Sequence, residues 1–172
     1  GGTYEAQTTD PMKVVKELAP VSVTEKTDGR FIVDFGQNLT GWMRFSVRGE
    51  RGQTVRLRYA ESLDENGELF TANLRSAKAE GLYTLRGGER ETYEPAFTYY
   101  GFRFVEVSGY PGQCDPSDFT ACMVSDDMRT VGSFKTSDEL LNRIYRNAWW
   151  GIASNYKGMP VDCPQRNEKQ PW

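Results

Sequence analysis

Histidine is absent from all 172 residues. That removes the Ser–His and Cys–His nucleophile pairs and most zinc sites, which rest on imidazole. Cysteine is scarce: Cys114, Cys122 and Cys163 are odd in number and lack CxxC spacing, so neither a disulfide framework nor a metal knuckle is indicated. An excess of positive charge is also missing. The 21 Lys+Arg and 24 Asp+Glu leave a net charge of −3, without the basic footprint expected of a nucleic-acid partner. No apolar run approaches the roughly 18 residues of a membrane helix, and no signal-peptide pattern is read at the start. Neither nucleic acid nor membrane is expected as a partner, and the compartment (cytoplasmic, periplasmic or secreted) is not legible.

With imidazole gone, acid–base work falls mainly to carboxylates. Aromatic residues, at 13%, suit a β-rich core and equally suit sugar binding. Residues 1–20 read as a polar lead-in without a clear period. Residues 21–124 read as short strands broken by Gly, Asn and Asp turns. "RFIVDF" places Phe31, Val33 and Phe35 on one face, and "MRFSV" does the same with Met43, Phe45 and Val47. In "VRLRYAE", Val55, Leu57 and Tyr59 alternate with Arg56, Arg58 and Ala60, the arginines forming a wet face. "FRFVEV" (Phe102 to Val107) is apolar on both faces and fits a central strand. This spacing predicts an antiparallel β-sandwich.

Residues 125–172 read as a linker, a helix and a loop. Thr136 followed by Glu139 fits a capping box, and Leu141, Ile144, Tyr145, Ala148, Trp149 and Ile152 then recur at helical spacing. The stripe, with Trp149 beside Trp150, is over-equipped for packing on a finished sandwich. It reads as the first helix of a second domain that the chain does not complete.

The closing segment "VDCPQRNEKQPW" holds Asp162, Arg166 and Glu168 in a proline-punctuated loop ahead of Trp172. A carboxylic acid flanked by Trp172 could have the raised pKa a general acid requires. Arg166 could instead hold Asp162 ionised, and a solvated loop with a surface ion pair fits the same spacing. Elsewhere, "LDENGEL" (Leu63 to Leu69) lacks the spaced ligands of a calcium loop and reads as a β-turn. "LRGGER" lacks the lysine and context of a phosphate cradle. Trp42, Tyr99 and Tyr100 are read as packing residues, with a sugar-binding face as the rival. Cys163 has no histidine to activate it and reads as a packing cysteine.

Asp162-Cys163-Pro164-Gln165-Arg166-Asn167-Glu168, with Trp172 following, resembles the motif that opens the catalytic domain of bacterial α-L-rhamnosidases, glycoside hydrolase family 78. The resemblance extends upstream through "DFGQNLTGWMRF", "LRYAESLDENGELFTANLR", "YTLRGG" and "YEPAFTYYGFRFVEVSGYPG". It implies a mainly β chain, a concanavalin- or jelly-roll-like antiparallel sandwich followed by the first helix of an (α/α)6 barrel. It further implies an inverting hydrolase that releases terminal α-L-rhamnose. Glu168 would be the general acid, and Asp162, Arg166 and Trp172 would bind substrate. The implied partners are a rhamnosylated glycoside or polysaccharide and the remainder of the catalytic domain in the same polypeptide. No cofactor and no metal are implied. The family's general base has no counterpart up to residue 172, so the chain alone is expected to be inactive. The alternative is a carbohydrate-binding or structural sandwich module.

Overall fold

The computed structural model of the protein describes residues 2–166, 170 and 171. Eight strands form one antiparallel sheet: β1 (Met12–Leu18), β2 (Ser22–Glu25), β3 (Phe31–Val47), β4 (Thr54–Ala60), β5 (Glu80–Thr84), β6 (Glu91–Tyr93), β7 (Tyr100–Ser108) and β8 (Phe119–Asp126). Its order is β1-β8-β3-β7-β4-β5, with β2 and β6 also paired to β3. Helix α1 (Glu139–Asn155) and the two-residue strands β9 (Tyr156–Lys157) and β10 (Met159–Pro160) follow.

The expected sandwich is realised as a sheet that curls on itself, and β3 explains why. Its 17 residues outlast any single neighbour. Phe31 to Asp34 lie between β2 and β7, Gly41 to Phe45 pair with β8, and Phe45 to Val47 pair with β6. Between Asp34 and Leu39, four residues of β3 are set against one of β7, Arg103, a bulge that bends the strand. Asp34 holds the bend: it accepts from the Gly36 amide at 2.6 Å and from Arg103 at 2.8 and 2.7 Å. Gly41, where β3 passes from β7 to β8, has no room for a side chain, since a Cβ would sit 1.8 Å from the Cys122 carbonyl.

The alternating residues fill the enclosed core. Phe31, Val33, Phe35, Met43, Phe45, Val47, Val55, Leu57 and Tyr59 are buried together, as their period predicts. β7 is central, between β3 and β4, and it is apolar on both sides for a reason. Phe102, Val105 and Val107 enter the main core, while Phe104 joins Ile32, Ala60 and Leu69 in a second cluster. Near that cluster the buried Glu106 receives Arg30 at 2.5 Å and Arg58 at 3.4 Å. Arg58 therefore stands on the polar face as expected but answers a buried carboxylate, and Arg56 pairs with Glu80.

Two local expectations change. The polar lead-in contains β1, an edge strand paired with β8 through a bulge between Val14 and Lys16. Its lysines and glutamate face solvent and only Val14 and Leu18 are half-buried, so the alternation is too weak to read. The α1 N-cap is Asp138, whose carboxylate accepts from the Leu140 amide at 2.8 Å. Thr136 lies two residues earlier, where its hydroxyl accepts from the Asp138 amide at 3.1 Å, and Glu139 pairs with Arg146. Asp binds an amide two residues ahead at least as well as Thr binds one three ahead, so the cap forms at the aspartate.

Candidate active site

The loop that carries the motif is built from its base upward. α1 ends at Asn155, and the β9–β10 hairpin turns on Gly158, whose φ of 78° suits glycine. The Val161 amide then donates to the Asn155 carbonyl at 2.8 Å. A Val161–Pro171 bridge and an Asp162 amide to Gln170 carbonyl bond of 3.0 Å draw the two ends of the loop together. Within it, the Arg166 amide donates to the Cys163 carbonyl at 3.0 Å, closing a tight turn.

Asp162, Cys163 and Arg166 meet inside this loop. The Cys163 thiol donates to Asp162 Oδ2 at 3.6 Å, and Arg166 Nη2 donates to Cys163 Sγ. The sulfur thus lies between the carboxylate and the guanidinium, which makes Cys163 a spacer between the two charges, outside both hydrophobic clusters. Cys163 also has a positive φ of 45°, unusual for a residue with a side chain and typical of strain held at working sites. The other carboxylate oxygen, Asp162 Oδ1, is buried and meets no hydrogen-bond donor among the described residues. Glu168 and Trp172, read as the general acid and an aromatic wall, lie outside the described residues.

The loop rests on the sheet at two points that sequence reasoning missed. Gly101 in β7 faces Gln165 so closely that a Cβ would lie 2.8 Å from the Gln165 amide nitrogen. Asp126, the last residue of β8, accepts from the Gly158 amide with both oxygens, at 2.8 and 2.7 Å. Lys157 in the same hairpin binds locally, donating to the Ser154 carbonyl of α1 at 3.0 Å and to the Tyr156 carbonyl at 3.4 Å. Burial pushes its ammonium down to about 8, with Asp126 opposing the shift. One signal was available for Gly101: a glycine inside the strand pattern "TYYGFRF" marks a close approach of another backbone.

The remaining candidates resolve on contacts. Tyr100 stacks on Tyr59 at 4.1 Å and 8°, and its hydroxyl donates to the Glu80 carbonyl, so it is a packing residue. Trp42 donates to Glu94 at 2.9 Å. Tyr99 and Tyr100 both line a cleft of about 270 Å³ with Pro164, Gln165 and Arg166, beside the motif. "LDENGEL" folds as a turn: Asp64 Oδ1 accepts from the Asn66 and Glu68 amides, both at 2.9 Å. α1 turns Trp150 and Ala153 toward the core and leaves Leu141, Ile144 and Ile152 at 45%, 55% and 57% exposure. No helix among the described residues is long and apolar enough to cross a membrane.

Comparison with known proteins gives two successive matches along the chain. Residues 24–125 match the bacterial alpha-L-rhamnosidase concanavalin-like domain, and residues 129–172 match the bacterial alpha-L-rhamnosidase 6 hairpin glycosidase domain. An alpha-L-rhamnosidase of Streptomyces avermitilis is 43% identical over 97% of the chain, and one from Formosa agariphila is 34% identical over 97%. The chain spans only 16% and 18% of those relatives. Among solved structures, the Dictyoglumus thermophilum alpha-L-rhamnosidase superposes with a TM-score of 0.94 at 39% identity, over 97% of this chain and 19% of that one. The Streptomyces avermitilis enzyme complexed with L-rhamnose superposes with a TM-score of 0.93, over 97% of this chain and 16% of that one. A curled β domain joined through one helix to the DCPQR loop, matched over 102 residues by one rhamnosidase domain and continued by the next, leaves a single assignment: the chain belongs to the bacterial alpha-L-rhamnosidase family.

Proposed function

We propose that this chain supplies the acid-bearing, sugar-clasping part of an inverting α-L-rhamnosidase active site. In this reading Glu168 protonates the leaving glycosidic oxygen, Asp162 and Arg166 hold rhamnose hydroxyls, and Trp172 packs against the ring and its methyl group. The general base lies in sequence after residue 172. An inverting site needs acid and base roughly 6.5–9.5 Å apart with water between them, so the 172-residue chain is inactive alone. The domain order that goes with this is a β domain over 21–124, to whose sheet the lead-in adds the edge strand β1, and then the linker, helix and first catalytic loop over 125–172.

The observation that carries the proposal is Asp162 Oδ1, buried in the motif loop and without a donor among the described residues. An unsatisfied buried acceptor is destabilising by about 1–3 kcal/mol, and a sugar hydroxyl is the kind of donor that relieves it. A structural reading of the β domain is compatible and rests on α1. Its exposed Leu141, Ile144 and Ile152 would be covered by further helices of the same polypeptide.

The test compares three proteins on a panel of aryl glycosides: the full natural polypeptide, its Glu168→Gln variant, and the 172-residue chain. The proposal expects cleavage of α-L-rhamnosides by the first, loss of most of that rate in the second and silence from the third. Cleavage of another glycoside class, or an undiminished variant, would show the substrate or the acid to be wrong.

A further inference from the structure

The motif loop is not held by its own turn alone. The β domain meets it at two separated points, and both contacts are made by residues with little other reason to be what they are. Gly101 lies inside β7, outside the left-handed backbone region that favours glycine. A glycine there weakens the strand, and its own backbone does not require it. The three nearest heavy atoms that a Cβ would meet are the amide nitrogen, Cβ and Cα of Gln165, at 2.8, 2.9 and 3.0 Å. The missing side chain is therefore space occupied by the loop. Two of those three atoms are backbone, so a rotamer change of Gln165 cannot make room.

At the second point, Asp126 ends β8 and turns its carboxylate onto a single amide, that of Gly158 in the β9–β10 turn. Ser125 supports the same hairpin, its hydroxyl donating to the Tyr156 carbonyl at 3.4 Å. The hairpin leads through Val161 into Asp162. One anchor therefore fixes the start of the loop and the other fixes its far side next to Arg166.

We propose that Gly101 and Asp126 are positioning residues of the β domain, which set the geometry of the Asp162–Arg166 loop and with it how Asp162 and Arg166 meet substrate. The proposal rests on the functional reading above. It also gives the β domain a part in catalysis beyond packing: substituting it at either point moves the loop while the rest of the fold stays intact. A shift of about 1 Å in a catalytic group can lower a rate by about 100-fold.

The experiment uses the full natural polypeptide with Gly101→Ala, Asp126→Ala, Asp126→Asn and, as a control, Gly87→Ala. Gly87 has a φ of 80°, and its Cβ would lie 2.5 Å from the Arg51 amide nitrogen, away from the motif loop. Gly87→Ala therefore strains the fold without touching the loop. We expect kcat on an aryl α-L-rhamnoside, per folded molecule, to fall at least about tenfold in Gly101→Ala and Asp126→Ala. Asp126→Asn, which keeps one acceptor oxygen for Gly158, should fall between Asp126→Ala and the wild type. Gly87→Ala should lower the melting temperature and leave kcat within twofold. Hydrogen exchange of the amides of Gly158, Asp162 and Arg166 reads the loop without reference to activity, and should quicken in both anchor variants but not in the control. Unchanged exchange and kcat in the anchor variants would overturn the proposal, as would an equal loss of kcat in the control. If the wild-type enzyme cleaves no rhamnoside, the functional reading falls, and the exchange data still decide whether the anchors hold the loop. Should Gly101→Ala fail to fold, the Asp126 series decides alone.

Discussion

Asp162 carries a conflict that the buried carboxylates Glu91 and Glu106 avoid. Glu91 and Glu106 are also buried carboxylates, but each is answered. Glu91 accepts from the Tyr83 hydroxyl and from the Arg86 and Gly87 amides, which hold its carboxyl down at about 2, and Glu106 is met by Arg30 and Arg58. Asp162 Oδ1 has no such donor among the described residues. Residues kept for binding rather than folding show this trade between stability and function. Asp162→Ala should accordingly leave the midpoint of thermal unfolding of this chain unchanged or higher. The same substitution in the full natural polypeptide should cut kcat/KM at least about 100-fold, as loss of a group that binds charge-assisted would. A large loss of stability in this chain would mean that Asp162 is structural. Lys157 makes a second test at this scale. Its folded pKa of about 8 lies below the ordinary 10.5, so between those values the unfolded chain binds the extra proton and stability rises with pH. Relative to Lys157→Met, the wild-type chain should gain on the order of 1 kcal/mol in urea unfolding between pH 7 and 9.5. A difference that stays flat or shrinks over that range would contradict the buried placement of the ammonium.

At the scale of elements, alternation made the inward faces of β3 and β4 and the central place of β7 legible, because period 2 survives whatever a strand pairs with. It did not disclose that β3 serves two parts of a curled sheet. That depends on the bulge between Asp34 and Leu39 and on a side-chain-free position at Gly41, which are matters of partner and register rather than period. β1 was hidden for another reason: an edge strand with mostly exposed residues has almost no pattern to read. α1 was legible as a helix, but its cap was misplaced by two residues because Thr136 and Asp138 both offer an oxygen. Asp138→Ala should lower the stability of the chain by about 1 kcal/mol in chemical denaturation. Thr136→Ala should cost less and act mainly through Asp138, whose amide and carbonyl the hydroxyl bonds at 3.1 and 3.0 Å, because the Thr136 main-chain bonds to Asn142 survive the change. The stripe on α1 gives a separate expectation. The 172-residue chain should self-associate as concentration rises, and replacing Leu141, Ile144 and Ile152 together with glutamate should suppress this in sedimentation with little change in melting temperature. Association that persists would place the sticky surface elsewhere.

For the molecule as a whole, the order of parts has a mechanical logic. A rigid curled sheet comes first, one helix lies across β3 and β8, and the helix delivers a loop back onto the ends of β7 and β8. Loops on rigid scaffolds are where catalytic groups are placed with least freedom. Asp162 and Arg166 were legible as candidates through the motif that contains them. Their support was not, because Gly101 and Asp126 lie 61 and 36 residues upstream of Asp162 and only the fold brings them to the loop. The central claim, that this loop presents a general acid to a glycosidic oxygen, is tested most directly by the leaving-group dependence of Glu168→Gln in the full natural polypeptide. A nitrophenyl rhamnoside departs as a stable anion and needs little help from an acid, whereas an alkyl rhamnoside cannot leave without a proton. The account predicts that the variant loses at least about 100-fold on the alkyl rhamnoside and far less on the nitrophenyl one. An equal loss on both, or none on either, would contradict it.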